Sequence, residues 1–252
     1  MTPEGEVLLE HASALVSLLG AAQADMDARA AGDAGPLRIG AFQSASASLV
    51  PIVLQRFVEA RPDVEVQLAE TIGDFELVNK VEASELDISF AVLPLHRPGP
   101  FETLELFRDP FVLVVSADSP LAELPRLSEP EQLGNLPLVA FRRCRATEWV
   151  LARFEERGTP LELILRSDNE DTLLRAAAAG MGAALVPRLS LHGDRRGTRV
   201  LELGPGFPDR VISLIWHRDR HLSAAARELI AITREVAVLR HARALDAAGS
   251  RL

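Results

Sequence analysis

Leu37-Arg38-Ile39-Gly40-Ala41-Phe42-Gln43-Ser44-Ala45-Ser46-Ala47-Ser48 is the stretch that decides the fold. Residues 37–42 form a short apolar run bounded by Gly35-Pro36 and read as a β-strand. The small polar residues that follow lead into a helix over 48–60, which Arg61-Pro62 ends. Downstream the rhythm repeats. Residues 64–69 read as a second strand, 74–83 as a helix and 86–92 as a third strand. This β-α-β-α-β order implies a parallel sheet with right-handed crossovers.

Beyond it the rhythm changes. Residues 104–107 and 111–115 read as two strands joined by a turn at Arg108-Asp109-Pro110. Ser116-Ala117-Asp118-Ser119-Pro120 is where the chain is expected to cross into a second lobe. There, 136–141, 161–166 and 183–186 read as strands, with helices over 147–156 and 169–179. Later strands follow at 199–203 and 211–216. A last helix runs from its cap at Ser223 to about residue 242, with Leu229, Ile230, Thr233, Val236 and Ala237 on its apolar face.

Upstream, Thr2 suits a helix cap, and Pro3 suits the first helical position. Leu8, His11, Leu15, Leu18, Leu19, Ala22 and Met26 recur at helical spacing. The breaker cluster at 31–36 should end this helix. A lone helix cannot bury such a stripe against itself, so a partner is expected, a second copy of the chain first.

The whole sequence has 252 residues, a net charge of −9 and one cysteine, Cys144. A chain this acidic lacks, as a whole, the basic footprint that a nucleic-acid-binding domain usually shows. A single cysteine excludes an internal disulfide and fits a reducing compartment. No apolar run nears the roughly 20 residues of a membrane span. Glu4, Glu6 and Glu10 stand where a secretory signal would carry basic residues. The expected location is cytoplasmic.

Several stretches in fixed order resemble the LysR-type transcriptional regulators. Residues 2–12 (Thr-Pro-Glu-Gly-Glu-Val-Leu-Leu-Glu-His-Ala) look like that family's entry into its linker helix. Residues 35–42, 85–90 and 106–122 are similar to its first strand, third strand and lobe-crossing hairpin. Residues 177–187 (Ala-Ala-Ala-Gly-Met-Gly-Ala-Ala-Leu-Val-Pro) carry the most specific likeness. The resemblance implies an α/β, two-lobed, periplasmic-binding-protein-like (type 2) fold behind an N-terminal linker helix. It divides the chain into a linker and dimerisation helix at 1–35, a first lobe at 36–115 and 209–242, a second lobe at 116–208 and a tail at 243–252. It also implies a small-molecule effector in the interlobe cleft and a homodimer or homotetramer. Family members carry a winged helix-turn-helix ahead of the linker, and Met1 stands where the linker begins. DNA contact is therefore expected only through such a domain.

Effector contacts are expected at strand ends, where open α/β sheets collect ligands. Ser44 and Ser46 open a helix whose free N–H groups suit an anion. Thr71 follows the second strand, Phe90 lies in the third, and Phe141 and Arg142 end the first strand of the second lobe. Asp168 and Asn169 open the following helix. Arg142 or Arg143 could grip a carboxylate bidentately, against the alternative of a solvated arginine cluster. Against these contacts, Phe90 reads as core rather than as a ligand platform, and Asp168 as a helix cap rather than as a contact.

Neither a GxSxG elbow nor an HExxH pair occurs, and His96, His192, His217 and His221 lack metal-ligand spacing. No catalytic residue, cofactor or metal is expected. Gly180 and Gly182 suit a turn rather than a phosphate loop. Cys144, between two arginines, is a conceivable redox thiol. Glu170 with Asp171, and Glu70 with Asp74, read as solvated charges. The sequence thus reads as the effector-sensing part of a transcription regulator rather than an enzyme. The alternatives are the solute-binding protein of a transporter or an enzyme on the same fold.

Overall fold

In chain order the elements of the computed structural model are β1 (Leu37–Phe42), α1 (Gln43–Ser48), α2 (Val50–Ala60), β2 (Val66–Thr71), α3 (Asp74–Glu82), β3 (Ile88–Leu93), β4 (Phe101–Asp109), β5 (Phe111–Ser116), β6 (Arg126–Leu127), β7 (Leu138–Phe141), α4 (Arg145–Glu156), β8 (Leu163–Ser167), α5 (Glu170–Ala178), β9 (Ala183–Pro187), β10 (Thr198–Leu203), β11 (Arg210–His217) and α6 (Ala224–Gly249). The structure describes residues 35–124, 126, 127, 137–159, 161–193 and 195–249, with 2–5, 7–9, 11, 12, 15, 16, 19, 20, 22 and 26 from the N-terminal stretch. The chain divides into two compact units, one of 1–42, 50–107 and 212–252, the other of 43–49 and 108–211.

The first unit holds a sheet in the order β2-β1-β3-β11-β4. β1 pairs in parallel with both β2 and β3, placing Ile39 opposite Leu68 on one side and Ile88 on the other. A strand with neighbours on both sides in an α/β sheet is covered on both faces, so β1 and β3 are mostly apolar rather than alternating, with Arg38 and Ser89 as the polar exceptions. Val53 and Phe57 of α2 and Leu77, Val78 and Val81 of α3 are buried here.

Gly40 permits a close approach in this sheet. A Cβ there would lie 2.6 Å from Leu86 Cδ1, 2.6 Å from Ser89 Oγ and 2.8 Å from Leu77 Cδ2. All three neighbours are buried and have little room to yield. Gly40→Ala should therefore cost about 1–3 kcal/mol by overpacking, measured as a lower denaturant midpoint with an unchanged slope.

The second unit shows most clearly how period-2 alternation builds a core. Its sheet runs β6-β10-β5-β9-β7-β8. Phe111, Leu113, Val115, Leu138, Ala140, Ala183 and Leu185 point to one face and meet Val150, Leu151 and Phe154 of α4. Val112, Val114, Val139, Phe141, Ala184 and Val186 point to the other and meet Leu173, Ala176 and Ala177 of α5.

Four expectations from the sequence need correction. Residues 43–48 form the helix α1 rather than a loop leading into one, and the helix breaks at Leu49 before α2. Pro51 explains the break: it has no N–H to donate, and its ring would crowd the carbonyl one turn back. Residues 43–49 also belong with the second unit. β4 and β5 lie in different sheets, so they are not a paired hairpin, and the chain changes sheet at Pro110 rather than after Ser116. Pro110 cannot donate to the β4 ladder, and that ends it. Finally, α6 runs to Gly249, through most of the supposed tail, while Ser223 caps it as read, its Oγ accepting the Ala226 N–H at 3.1 Å.

In the N-terminal stretch Thr2 Oγ1 accepts the Gly5 N–H at 3.2 Å, as a cap should. The described residues from 3 to 26 are helical, and Leu8, Leu15, Leu19 and Met26 are 65–73% exposed. Leu18 and residues 31–34 of the breaker cluster lie outside the described residues. No helix among the described residues is long and apolar enough to cross a membrane.

Candidate functional site

α1 sits in the second unit on a buried ion pair. Arg210, at the start of β11, donates from Nε (3.0 Å) and Nη2 (2.5 Å) to Asp109 Oδ2. Nη2 also donates to Ser44 Oγ at 3.0 Å. Asp109 Oδ1 accepts the Leu189 N–H at 2.9 Å. Arg210 is 4% exposed and Asp109 3%. A charge so deeply buried persists only where a partner and further hydrogen bonds replace water.

The two serines of α1 therefore differ. Ser44 is 2% exposed, and its oxygen is engaged by Arg210. Ser46 Oγ is buried and has no hydrogen-bond partner among the described residues. An unmet buried hydroxyl costs about 1–3 kcal/mol, so Ser46 is the one poised to gain from an incoming oxygen or nitrogen.

A second group stands at the carboxyl end of β7. Phe141 is 6% exposed and packs against α5 in the core. The next two side chains are open: Arg142 is 57% exposed and Arg143 60%. Both reach Asp168. Arg142 Nε donates to Oδ2 at 2.8 Å, its Nη2 donates to the same oxygen, and Arg143 Nε lies 3.4 Å away. The Asp168 carboxylate holds the Arg142 guanidinium more firmly protonated than usual. Asp168 Oδ1 is buried without a partner among the described residues. One carboxylate thus faces two guanidiniums, leaving net positive charge at a strand end. Asp168 is not the helix cap. Asn169 is, its Oδ1 accepting the Thr172 N–H at 3.0 Å.

Glu170 joins the two groups. It is 3% exposed rather than solvated, because the first turn of α5 points it inward. His192 Nε2 lies 3.3 Å from its Oε2, and its backbone N–H donates to Gln43 Oε1 at 3.3 Å. Burial pushes its carboxyl above the usual range, partly offset by the Ser190 hydroxyl, His192 and Arg210. Asp74 is not free either, since its Oδ2 accepts the Val92 N–H at 2.9 Å.

The remaining candidates lie elsewhere. Thr71 and Phe90 are in the first unit. The Thr71 hydroxyl donates to the Gly73 carbonyl at 2.5 Å, and Phe90 is 2% exposed within β3. Cys144 precedes α4 and packs against both cores of the second unit. The His217 ring accepts the Asp219 N–H at 3.2 Å in a surface turn. Among the described residues no cluster of His, Cys, Asp and Glu could hold a metal.

Sequence reasoning missed Asp109, Arg210, Glu170 and His192. A charge set beside an apolar strand run, as Arg210 is before Val211-Ile212, is the one signal that flags such a residue. It does not name a partner 101 positions away.

Comparison with known proteins agrees with this architecture. The sequence signature described as the LysR substrate binding domain matches residues 30–238. The HTH-type transcriptional regulator YofA of Bacillus velezensis is 30% identical over 235 residues, covering 91% of this chain and 77% of that protein. Among solved structures, the effector binding domain of QuiR in complex with shikimate superposes with a TM-score of 0.69 at 15% identity, over 80% of this chain and 96% of that one. Full-length CbnR complexed with its target DNA gives 0.67 at 20% identity, over 94% and 82%.

Proposed function

Because this chain belongs to the LysR substrate-binding-domain family, we propose that it senses a small anionic molecule through the arginine-bearing end of β7 and the head of α1. It is the effector-binding part of a LysR-type transcriptional regulator, with the type 2 periplasmic-binding-protein-like fold. The observation that carries the anionic reading is the charge count at Asp168. Two guanidiniums, each more than half exposed, share one carboxylate. A carboxylate or phosphate effector would complete that count and take a bidentate grip from Arg142. Ser46 supports the reading, since an effector oxygen would satisfy its stranded hydroxyl. Phe141, Ser44 and Asn169 then act by shaping and holding these groups.

The readout is transcription control without catalysis, in the cytoplasm, with DNA reached through a helix-turn-helix of the kind its relatives are named for. The exposed leucines of the N-terminal helix support self-association as a dimer or tetramer.

A thermal-shift screen of small carboxylic acids, shikimate included, against neutral and cationic analogues tests the effector. An acid at about 100 Kd should stabilise the chain by about 2.7 kcal/mol. The Arg142→Ala/Arg143→Ala double variant should lose acid binding at least tenfold; because it strips Asp168, whose side chain is 12% exposed, of both cations, its urea midpoint is measured alongside so that lost binding is read only from folded protein. Equal stabilisation by neutral analogues, or undiminished binding by the double variant, would overturn the proposal.

A further inference from the structure

We propose that Glu170 and His192 form a proton-operated latch between the head of α5 and the head of α1, through which the seating of Ser44 and Ser46 responds to pH. The link to effector binding rests on the function proposed above; the latch itself does not.

Three observations carry it. Glu170 is almost fully buried at the first position of α5, yet its carboxyl has no full-strength cation to itself. The charged groups facing it are His192, beyond the turn that follows β9, and Arg210 from β11. Arg210 is already paired with Asp109, and Arg188 of the same turn is paired with Glu202 instead. Asp168, two residues earlier, is taken by Arg142 and Arg143. Because Arg210 is shared with Asp109, a Glu170 carboxylate is balanced only in part, by Arg210 and by the His192 ring 3.3 Å away.

Protonated, Glu170 buries no charge. Ionised, it places a carboxylate that its neighbours balance only in part in a dry site, which low-dielectric surroundings disfavour.

The second observation says where the strain would go. The Glu170 backbone N–H donates to the Gln43 side chain, and Gln43 is the first residue of α1. The third is that the next residue, Ser44, shares Arg210 with Asp109. A Glu170 that turns toward water pulls the head of α5 from Gln43 and disturbs the serines beside it. Asn169, the α5 cap, moves with it.

The sign is fixed by burial. Glu170 titrates above its ordinary value of 4.5 in the folded chain. Its favourable contribution is full below 4.5 and is lost as pH rises through the folded midpoint.

The test uses the 252-residue chain with no ligand added, so its outcome is independent of the effector screen. NMR titration should place the midpoint of the Glu170 side-chain carboxyl above 4.5. The backbone amide signals of Gln43 and Ser44 should shift with that same midpoint. Glu170→Gln mimics the protonated acid and should leave both amides flat across the window. It should also remove the fall in denaturant midpoint that the parent chain shows there. His192→Gln takes away a balancing group and should move the Glu170 midpoint further up; it carries the test if Glu170→Gln fails to fold. A Glu170 midpoint at or below 4.5 would sink the latch. So would a titrating Glu170 whose protonation leaves Gln43 and Ser44 unmoved.

Discussion

Asp109→Ala should destabilise the chain by about 3–5 kcal/mol, the range for stranding one member of a buried ion pair. The variant removes the acceptor of both the Nε and Nη2 bonds of Arg210 and the acceptor of the Leu189 N–H. Arg210 is 4% exposed, so its guanidinium is left in the interior without the carboxylate that takes two of its hydrogen bonds. Replacing both residues, Asp109→Leu with Arg210→Met, strands no charge and should recover most of the loss. Urea unfolding of these three proteins gives the answer. If the double variant were no more stable than Asp109→Ala, packing rather than charge would account for the site. The double variant also leaves the Ser44 hydroxyl without its donor, so α1 should show faster amide exchange than in the parent even where stability is restored. The ion pair thus has a second role, which is to hold α1 in place.

The element order is legible in the sequence because period and punctuation agree. Strands such as Leu37–Phe42 are short apolar runs between breakers, and Arg61-Pro62 stops a helix wherever it occurs. The boundary between units is less legible, because it depends on which strands pair. Phe111–Ser116 looks alike whether it joins one sheet or the other. Only the ladders with β9 and β10 decide it.

The site is legible where local chemistry is enough. Arg142, Asp168 and Asn169 follow strand ends and fall together at the β7 and β8 termini. It is illegible where the partner is distant. Asp109 looked like a turn residue beside Pro110, and Glu170 looked like an ordinary first-turn acid favoured by the helix dipole. Both are buried because of residues contributed from the turn after β9 and from β11, and no local pattern announces that meeting.

Gly182→Ala should cost about 3 kcal/mol or more, although Gly180 two residues earlier should tolerate the same change far better. The two glycines answer different demands. Gly180 closes α5 with φ +75; its N–H donates to the Ala177 carbonyl at 3.0 Å, and the Met181 N–H donates to Ala176 at 3.1 Å. That is a Schellman ending, which needs a left-handed residue. A Cβ there would meet nothing within 4 Å, so alanine pays only the conformational cost of about 1–2 kcal/mol. Gly182 has no positive φ. Its Cβ would instead stand 2.3 Å from the backbone oxygen of Pro137 and 2.9 Å from its carbonyl carbon. Backbone cannot swing aside as a side-chain end can, so β7 and β9 would have to separate at the point where the Ala183 N–H meets the same oxygen at 2.8 Å. Asparagine separates the two explanations, because it accepts the left-handed region but adds bulk. Gly180→Asn should be milder than Gly180→Ala, whereas Gly182→Asn should be at least as damaging as Gly182→Ala. Equal losses at both positions in thermal or urea unfolding would show that one shared cause, rather than two, keeps glycine in this turn.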